Sequence, residues 1–221
     1  MAFVIFNLKT YAESFQRNAL NLLEAVQTAS DNTEHQLVVC PSVLDAGWVA
    51  SERRKDTPLL FAQHADASGF GAFTGSVPLA GLKQLGFEGT LVNHSEKKLP
   101  HAQVKETVDA ARALGLKTVV CADSIAEAKK VAAFGPWAVA IEPPELIGSG
   151  VSVSSAQPDL VKDGVGAIRA VNRHVLPLVG AGVSTRNDFQ LSLKLGAEGV
   201  LLASAFAKSK NPAKWLDEFL G

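Results

Sequence analysis

Three short peptides hold the side chains of this sequence that are suited to chemistry. They are Asn7-Leu8-Lys9, Asn93-His94-Ser95-Glu96 and Ile141-Glu142-Pro143-Pro144-Glu145-Leu146-Ile147-Gly148-Ser149-Gly150. Together they offer a cation, an imidazole and a carboxylate, with a glycine-rich loop behind the carboxylate. A site that moves a proton while holding a phosphate needs that set of groups. Each peptide alone has a plainer explanation: a solvated lysine, a structural histidine, a carboxylate capping a turn. Their order, and their places just after apolar runs, favour the catalytic reading.

Glu142 follows the apolar run Ala138-Val139-Ala140-Ile141 and should stand where a strand ends. Prolines fix the near end of the loop after it and glycines free the far end, the pattern of a lid that moves as one piece. Closure over Glu142 would exclude water and raise the basicity of the carboxylate. His94 follows Thr90-Leu91-Val92-Asn93, and Lys9 follows the first apolar run by a few residues; both are expected at strand mouths. His35, His101 and His174 lack such a context, while His64 also ends a strand and is placed to line a pocket. No HxH or HxxxH spacing is present and the other histidines are scattered, so a metal is not expected. Two loops of small residues, Val179-Gly180-Ala181-Gly182-Val183 and Leu202-Ala203-Ser204-Ala205, would let backbone N–H groups approach an anion. Gly69-Phe70-Gly71 lacks the full GxGxxG spacing of a dinucleotide site.

The elements that must position these groups repeat along the chain. Eight short apolar runs, at residues 3–6, 36–40, 59–62, 90–92, 117–121, 138–141, 177–179 and 199–202, alternate with amphipathic helical stretches. Pro100, Asp123-Ser124, Pro158 and Ser184-Thr185 mark helix starts, and Gly115, Gly135 and Gly196 mark helix ends. Continuous apolar strands separated by helices indicate a parallel sheet covered on both faces. Eight such units in 221 residues predict an α/β chain folded as one (β/α)8 barrel domain over 1–221, with shortened loops and helices. In that fold chemistry sits on the loops after the strands, where all three peptides fall.

Composition agrees. A hydrophobic content of 47% supports one large core, and 21 Lys+Arg against 22 Asp+Glu argue against nucleic acid or an anionic membrane as the main partner. Cys40 and Cys121 lie apart in apolar runs and are expected reduced and buried in a cytoplasmic protein. No signal peptide or membrane span is expected.

At these residues the sequence resembles the triosephosphate isomerase family over nearly its whole length. The resemblance rests on Asn7 and Lys9, on His94-Ser95-Glu96, and on Glu142-Pro143 with Ile147-Gly148-Ser149-Gly150. Gly71-Ala72-Phe73-Thr74-Gly75 is similar to the loop that members insert into a partner subunit, and Gln63 and Cys121 match residue types kept by the family. The resemblance implies a cofactor-independent interconversion of glyceraldehyde 3-phosphate and dihydroxyacetone phosphate in glycolysis and gluconeogenesis. In the roles already described for that family, Glu142 is the base, neutral His94 the electrophile and Lys9 the cation, with Asn7 helping to position the lysine. Backbone groups near Ile147, Gly148, Gly182, Ala203 and Ser204 would hold the phosphate. A homo-oligomer is implied, a dimer in preference to a tetramer, with the Thr74 loop at its interface.

The sequence departs from the bacterial and eukaryotic pattern at Pro144-Glu145-Leu146, at Asn93 in place of glycine, at Gly182 in place of serine, and at Ala203-Ser204 in place of two glycines. These changes and the short chain resemble the compact archaeal branch. Two other readings compete: a Schiff-base sugar-phosphate aldolase with Lys9 as nucleophile, and a phosphate-binding barrel without catalysis. Aldolases of this fold usually carry that lysine on a later strand, where this chain has Glu142, and binding alone needs no base.

Overall fold

The computed structural model describes residues 1–54, 57–143 and 152–221. Eight parallel strands close into a barrel in sequence order. They are β1 (Phe3–Asn7), β2 (Gln36–Cys40), β3 (Leu59–Ala62), β4 (Gly89–Val92), β5 (Lys117–Ala122), β6 (Ala138–Ile141), β7 (Leu176–Val179) and β8 (Gly199–Leu202). Closure comes from β1 lying between β2 and β8, with Ile5 opposite both Val38 and Leu201. Around the barrel run α1 (Arg17–Ser30), α2 (Ala46–Glu52), α3 (Leu79–Gln84), α4 (His101–Ala113), α5 (Ile125–Ala132), α6 (Val153–Ala156), α7 (Pro158–Val171), α8 (Arg186–Lys194), α9 (Ser204–Ala207) and α10 (Pro212–Leu220). The expected closed barrel is present, and α2 and α3, at 7 and 6 residues, show how the chain is shortened.

Strand residues alternate between two buried surfaces, so each strand reads as a continuous apolar run. Ile5, Val38, Phe61, Leu91, Val119 and Leu178 fill the barrel interior. Val4, Phe6, Leu37 and Val39 face the other way, packing with Leu22, Leu23 and Val26 of α1. Phe61 needs room beside β4: a Cβ on Gly89 would lie 2.8 Å from its ring and 2.6 Å from the Lys117 carbonyl oxygen. Trp137 meets Phe3 edge-on at 4.7 Å and Phe61 at 5.7 Å between ring centres. Because Phe3 begins β1 and Trp137 precedes β6, this aromatic group closes the barrel at the N-terminal ends of its strands, away from the loops that carry the polar peptides.

The helix signals act as expected from local chemistry. Ser124 caps α5 by accepting the Glu127 N–H, and Thr185 with Asp188 forms a capping box on α8. Pro158 takes the first position of α7, and α4 begins directly after Pro100. Gly115, Gly135 and Gly196 adopt φ values of +72°, +68° and +97°, left-handed ends that favour glycine. Four strands run further than the sequence patterns indicate, β4 and β7 each beginning one residue earlier, at Gly89 and Leu176. Asn7 extends β1 by pairing with Cys40, and Ala122 extends β5 by pairing with Ile141. Asn7 is polar, so apolarity could not mark it as part of the strand. The four-residue helices α6 and α9 are also additions, too short to show a periodic pattern. Among the described residues, no helix is long and apolar enough to cross a membrane.

Candidate active site

At the C-terminal ends of the strands lies a cavity of about 250 Å³ whose lining includes Asn7, Lys9, His94, Glu142, Gly182 and Ser204. The three polar peptides, 85 and more residues apart from the first to the last two, thus meet around one space, as do the two loops of small residues. A neighbouring cavity of about 220 Å³ shares Asn7, Lys9 and His94 and adds Gln63, His64 and Glu96. His64 therefore lines the pocket next door, with Nε2 3.2 Å from Asp66 Oδ1.

Lys9 lies two residues beyond β1 with φ +50°, a conformation that an ordinary side chain rarely adopts. Two neighbours hold it there. The Lys9 N–H donates to Asn7 Oδ1 at 3.0 Å, and the Lys9 carbonyl accepts from Gln63 Nε2 at 2.9 Å. Gln63 also donates to the Cys40 carbonyl at 3.0 Å, tying the turn to β2. The ammonium group meets Glu96 Oε1 at 2.6 Å; the lysine side chain is 11% exposed and the glutamate 60%. The exposure of Glu96 means that water competes for this pair, so its value lies in aiming the lysine more than in stability.

His94 caps the short turn Ser95–Lys97, its Nδ1 accepting the Glu96 N–H at 3.1 Å. This bond assigns the lone pair to Nδ1 and the hydrogen of the neutral ring to Nε2. The Glu96 carboxylate lies farther off, 3.7 Å from Nδ1, so the backbone bond sets the tautomer. Burial, and then the nearby Lys9 charge, push the histidine pKa below its ordinary value, against the pull of Glu96. The ring is therefore neutral at neutral pH and offers Nε2–H as a donor.

Glu142 begins directly after β6, its N–H extending the ladder to the Ala122 carbonyl at 2.8 Å. The side chain is only 2% exposed, and Oε2 has no hydrogen-bond partner among the described residues. Burial dominates its titration and pushes the carboxyl up to about 7, although a Cys121 hydrogen bond and the charges of Lys9 and Lys98 pull the other way. The Cys121 thiol is itself raised well above its usual range by burial and by Glu142, so it remains a donor. Cys121 was read from sequence only as a buried residue of a type the family keeps. Its contact with the carboxylate, which joins β5 to β6, carries no local sequence signal.

Gly180 has a second function that the sequence did not reveal. Its smallness was assigned to anion approach, but a Cβ there would lie 2.4 Å from Glu142 Cγ and 2.7 Å from Oε1. The missing side chain is the space that the carboxylate occupies. Gly182, with φ +70°, and Ala203 and Ser204 line the same cavity. Ile147 and Gly148, the other residues assigned to phosphate, lie outside the described residues, as does the rest of the lid motif from 144 to 151. Thr74 does not line the cavity; its loop is exposed, with Phe70 at 63% and Phe73 at 50%.

A buried carboxylate with an unpartnered oxygen can accept a proton, while an adjacent neutral imidazole and a lysine can stabilise charge developing on an oxygen. Comparison with known proteins shows the family of the chain. The family model for triosephosphate isomerase matches residues 2–219. The triosephosphate isomerase of Archaeoglobus fulgidus is 41% identical over 221 residues, covering 100% of this chain and 98% of the relative. Those of Methanobrevibacter smithii, 40% identical with 96% and 95% covered, and Methanocaldococcus jannaschii, 37% identical with 98% of each covered, are similar to it in the same way.

Proposed function

The chain belongs to the triosephosphate isomerase family, and we propose that the cavity around Lys9, His94 and Glu142 is where it interconverts glyceraldehyde 3-phosphate and dihydroxyacetone phosphate. One observation supports this assignment above the others: the buried carboxylate of Glu142, with Oε2 unpartnered among the described residues and its titration raised to about 7, shares a cavity with a neutral histidine and a lysine.

In this reading Glu142 takes a proton from one carbon of the substrate and returns it to the next. The enediolate formed between the two steps has negative charge on oxygen. The Nε2–H of His94 and the Lys9 ammonium stabilise that charge, and His94 passes a proton between the two oxygens. A positioned base contributes a factor of about 10² to 10⁴ to such a step. The phosphate is held by backbone N–H groups near Gly182, Ala203 and Ser204, and by Ile147 and Gly148. Asn7 keeps Lys9 in its strained turn, so it supports binding indirectly. The aldolase alternative has no support in the family comparison, and a binding-only barrel leaves the buried base without a use.

The chain acts as a single-domain cytoplasmic enzyme of glycolysis and gluconeogenesis, assembled as a homodimer. Support for the dimer comes from the loop bearing Phe70, Phe73 and Thr74. Asp66 staples its base through two bonds to Val77, at 2.9 and 2.7 Å, leaving the aromatic tip in solvent. Beside it runs an open groove of about 550 Å³ lined in part by Val43, Val77, Leu82 and Leu85. The Thr74 loop of one copy is the segment that would enter the other.

A coupled assay that consumes dihydroxyacetone phosphate as the purified chain forms it from glyceraldehyde 3-phosphate tests the activity. Turnover without added metal or cofactor is expected, and its absence overturns the assignment. Light scattering should give twice the chain mass; a monomer would remove the Thr74 loop from an interface.

A further inference from the structure

Asn93 precedes His94 and adopts φ +62°, a left-handed conformation that glycine or asparagine accepts with little strain. Glycine alone would satisfy the backbone there, so the carboxamide needs another explanation. It is 1% exposed and both of its polar atoms are hydrogen-bonded. Nδ2 donates to the Cys121 carbonyl at 2.9 Å and to Glu127 Oε1 at 3.1 Å, while Oδ1 accepts the Leu99 N–H at 3.0 Å. One side chain therefore ties the mouth of β4 to the mouth of β5, to the first turn of α5 and to the far end of the loop that carries His94.

A second tie reinforces the first. Lys98, the neighbour of Leu99, reaches both Glu127 oxygens at 2.8 and 2.7 Å, and Glu127 also accepts the Asp123 N–H at 2.9 Å. Residues 93 and 98 thus both anchor on Glu127, and the segment between them holds His94 and Glu96. At the other end of the frame, Cys121 and Ala122 pair with Ala140 and Ile141 of β6, and the Ala122 carbonyl accepts the Glu142 N–H at 2.8 Å.

We infer that Asn93 is a positioning residue for the isomerisation: its carboxamide holds the His94 loop against the Cys121 end of β5 and so fixes where the imidazole stands relative to Glu142. This rests on the assignment of His94 and Glu142 made above. Proton transfer and oxyanion stabilisation are steep functions of distance, and a misplacement of about 1 Å can cost about 10² in rate. The loop is cinched rather than removed from water by this residue, so a smaller loss follows from releasing it.

The test is Asn93→Gly, which keeps the left-handed backbone and removes the three side-chain bonds. Turnover should fall about tenfold with KM changed less than about threefold, because the phosphate loops are untouched. In ¹⁵N NMR the His94 ring, held as the Nε2–H tautomer in the native chain, should show exchange between tautomers in the variant. Native turnover together with a native ring signal overturns the inference. So does a loss of kcat matched by loss of folded protein with the ring signal unchanged. The ring signal is read without turnover, so an inactive native chain would break the functional assignment while leaving the positioning claim to be decided by NMR. If Asn93→Gly does not fold, Asn93→Asp keeps the left-handed tolerance and the Leu99 acceptor, removes both donated bonds, and is read by the same two measurements.

Discussion

The two sides of the active-site mouth are built on opposite principles. On the β1–β4 side, Lys9 and His94 are surrounded by partners: Asn7, Gln63 and Glu96 for the lysine turn and its ammonium, and the Glu96 N–H for the imidazole. On the β6–β7 side, Glu142 lies in a dry recess with one oxygen unpartnered among the described residues and with Gly180 providing only space. The difference follows from the work each side does. On the partnered side, hydrogen bonds define the resting form: the Lys9 ammonium is aimed by Glu96, and the imidazole is held as the Nε2–H tautomer. On the other side, burial with one oxygen unpartnered among the described residues keeps the two states of the carboxyl close in energy near neutral pH, as suits a base.

The largest expected effect comes from removing the carboxylate from the dry side. Glu142→Gln keeps the shape and removes the base, so kcat should fall by about 10² to 10⁴, while affinity for a phosphate-bearing inhibitor stays near native. Native turnover in this variant would mean that the two sides do not differ in function at all. Next in size, Lys9→Ala on the partnered side should lower kcat/KM by about 10², with both binding and turnover damaged. Its activity should respond differently to salt than that of the Glu142 variant; full activity would make the lysine peripheral.

Gly180→Ala sharpens the comparison by filling the recess. A methyl group 2.4 Å from Glu142 Cγ must displace the carboxylate, and kcat should drop about tenfold without a comparable change in phosphate affinity. A crystal structure of the variant with Glu142 unmoved would refute the role given to Gly180. The smallest effect is on pH dependence. With the carboxyl at about 7, kcat/KM of the native enzyme should decline as pH falls through about 7, and a limb below pH 5 would show that burial does not tune the base. The folded-state value is raised from 4.5 to about 7, so burial of this group costs nothing well below pH 4.5, opposes folding increasingly between about 4.5 and 7, and does so in full above about 7. Glu142→Gln should therefore raise the melting temperature more at pH 8 than at pH 4, as calorimetry can show.

Much of this was legible before any coordinates. The alternation of apolar runs with capped helices led to the closed barrel, because Ser124, Thr185, Pro158 and the left-handed glycines act on neighbours within a few residues. Lys9, His94 and Glu142 were expected together for the same reason, each following an apolar run where barrel strands converge, and the three line one cavity. The extra residue on β1 was missed because Asn7 is polar, and α6 and α9 because four residues show no period. The second use of Gly180, room for the Glu142 side chain, had no sequence signal, since nothing local distinguishes a glycine that admits an anion from one that makes room for a side chain from another strand. Asn93 stood out only as a departure from glycine, its three bonds reaching residues 6, 28 and 34 positions away.

From its sequence alone, then, this protein determined its barrel of eight strands, the capped ends of several helices and which side chains would come together at the barrel mouth, because those depend on periodicity and short-range chemistry. Only the tertiary structure decided how the side chains behave once there: that Glu142 is dry and near neutrality, that His94 is an uncharged donor, that Gly180 is space. Protonation and position are set by burial and by contacts between residues remote in sequence, and those exist only when the chain has closed.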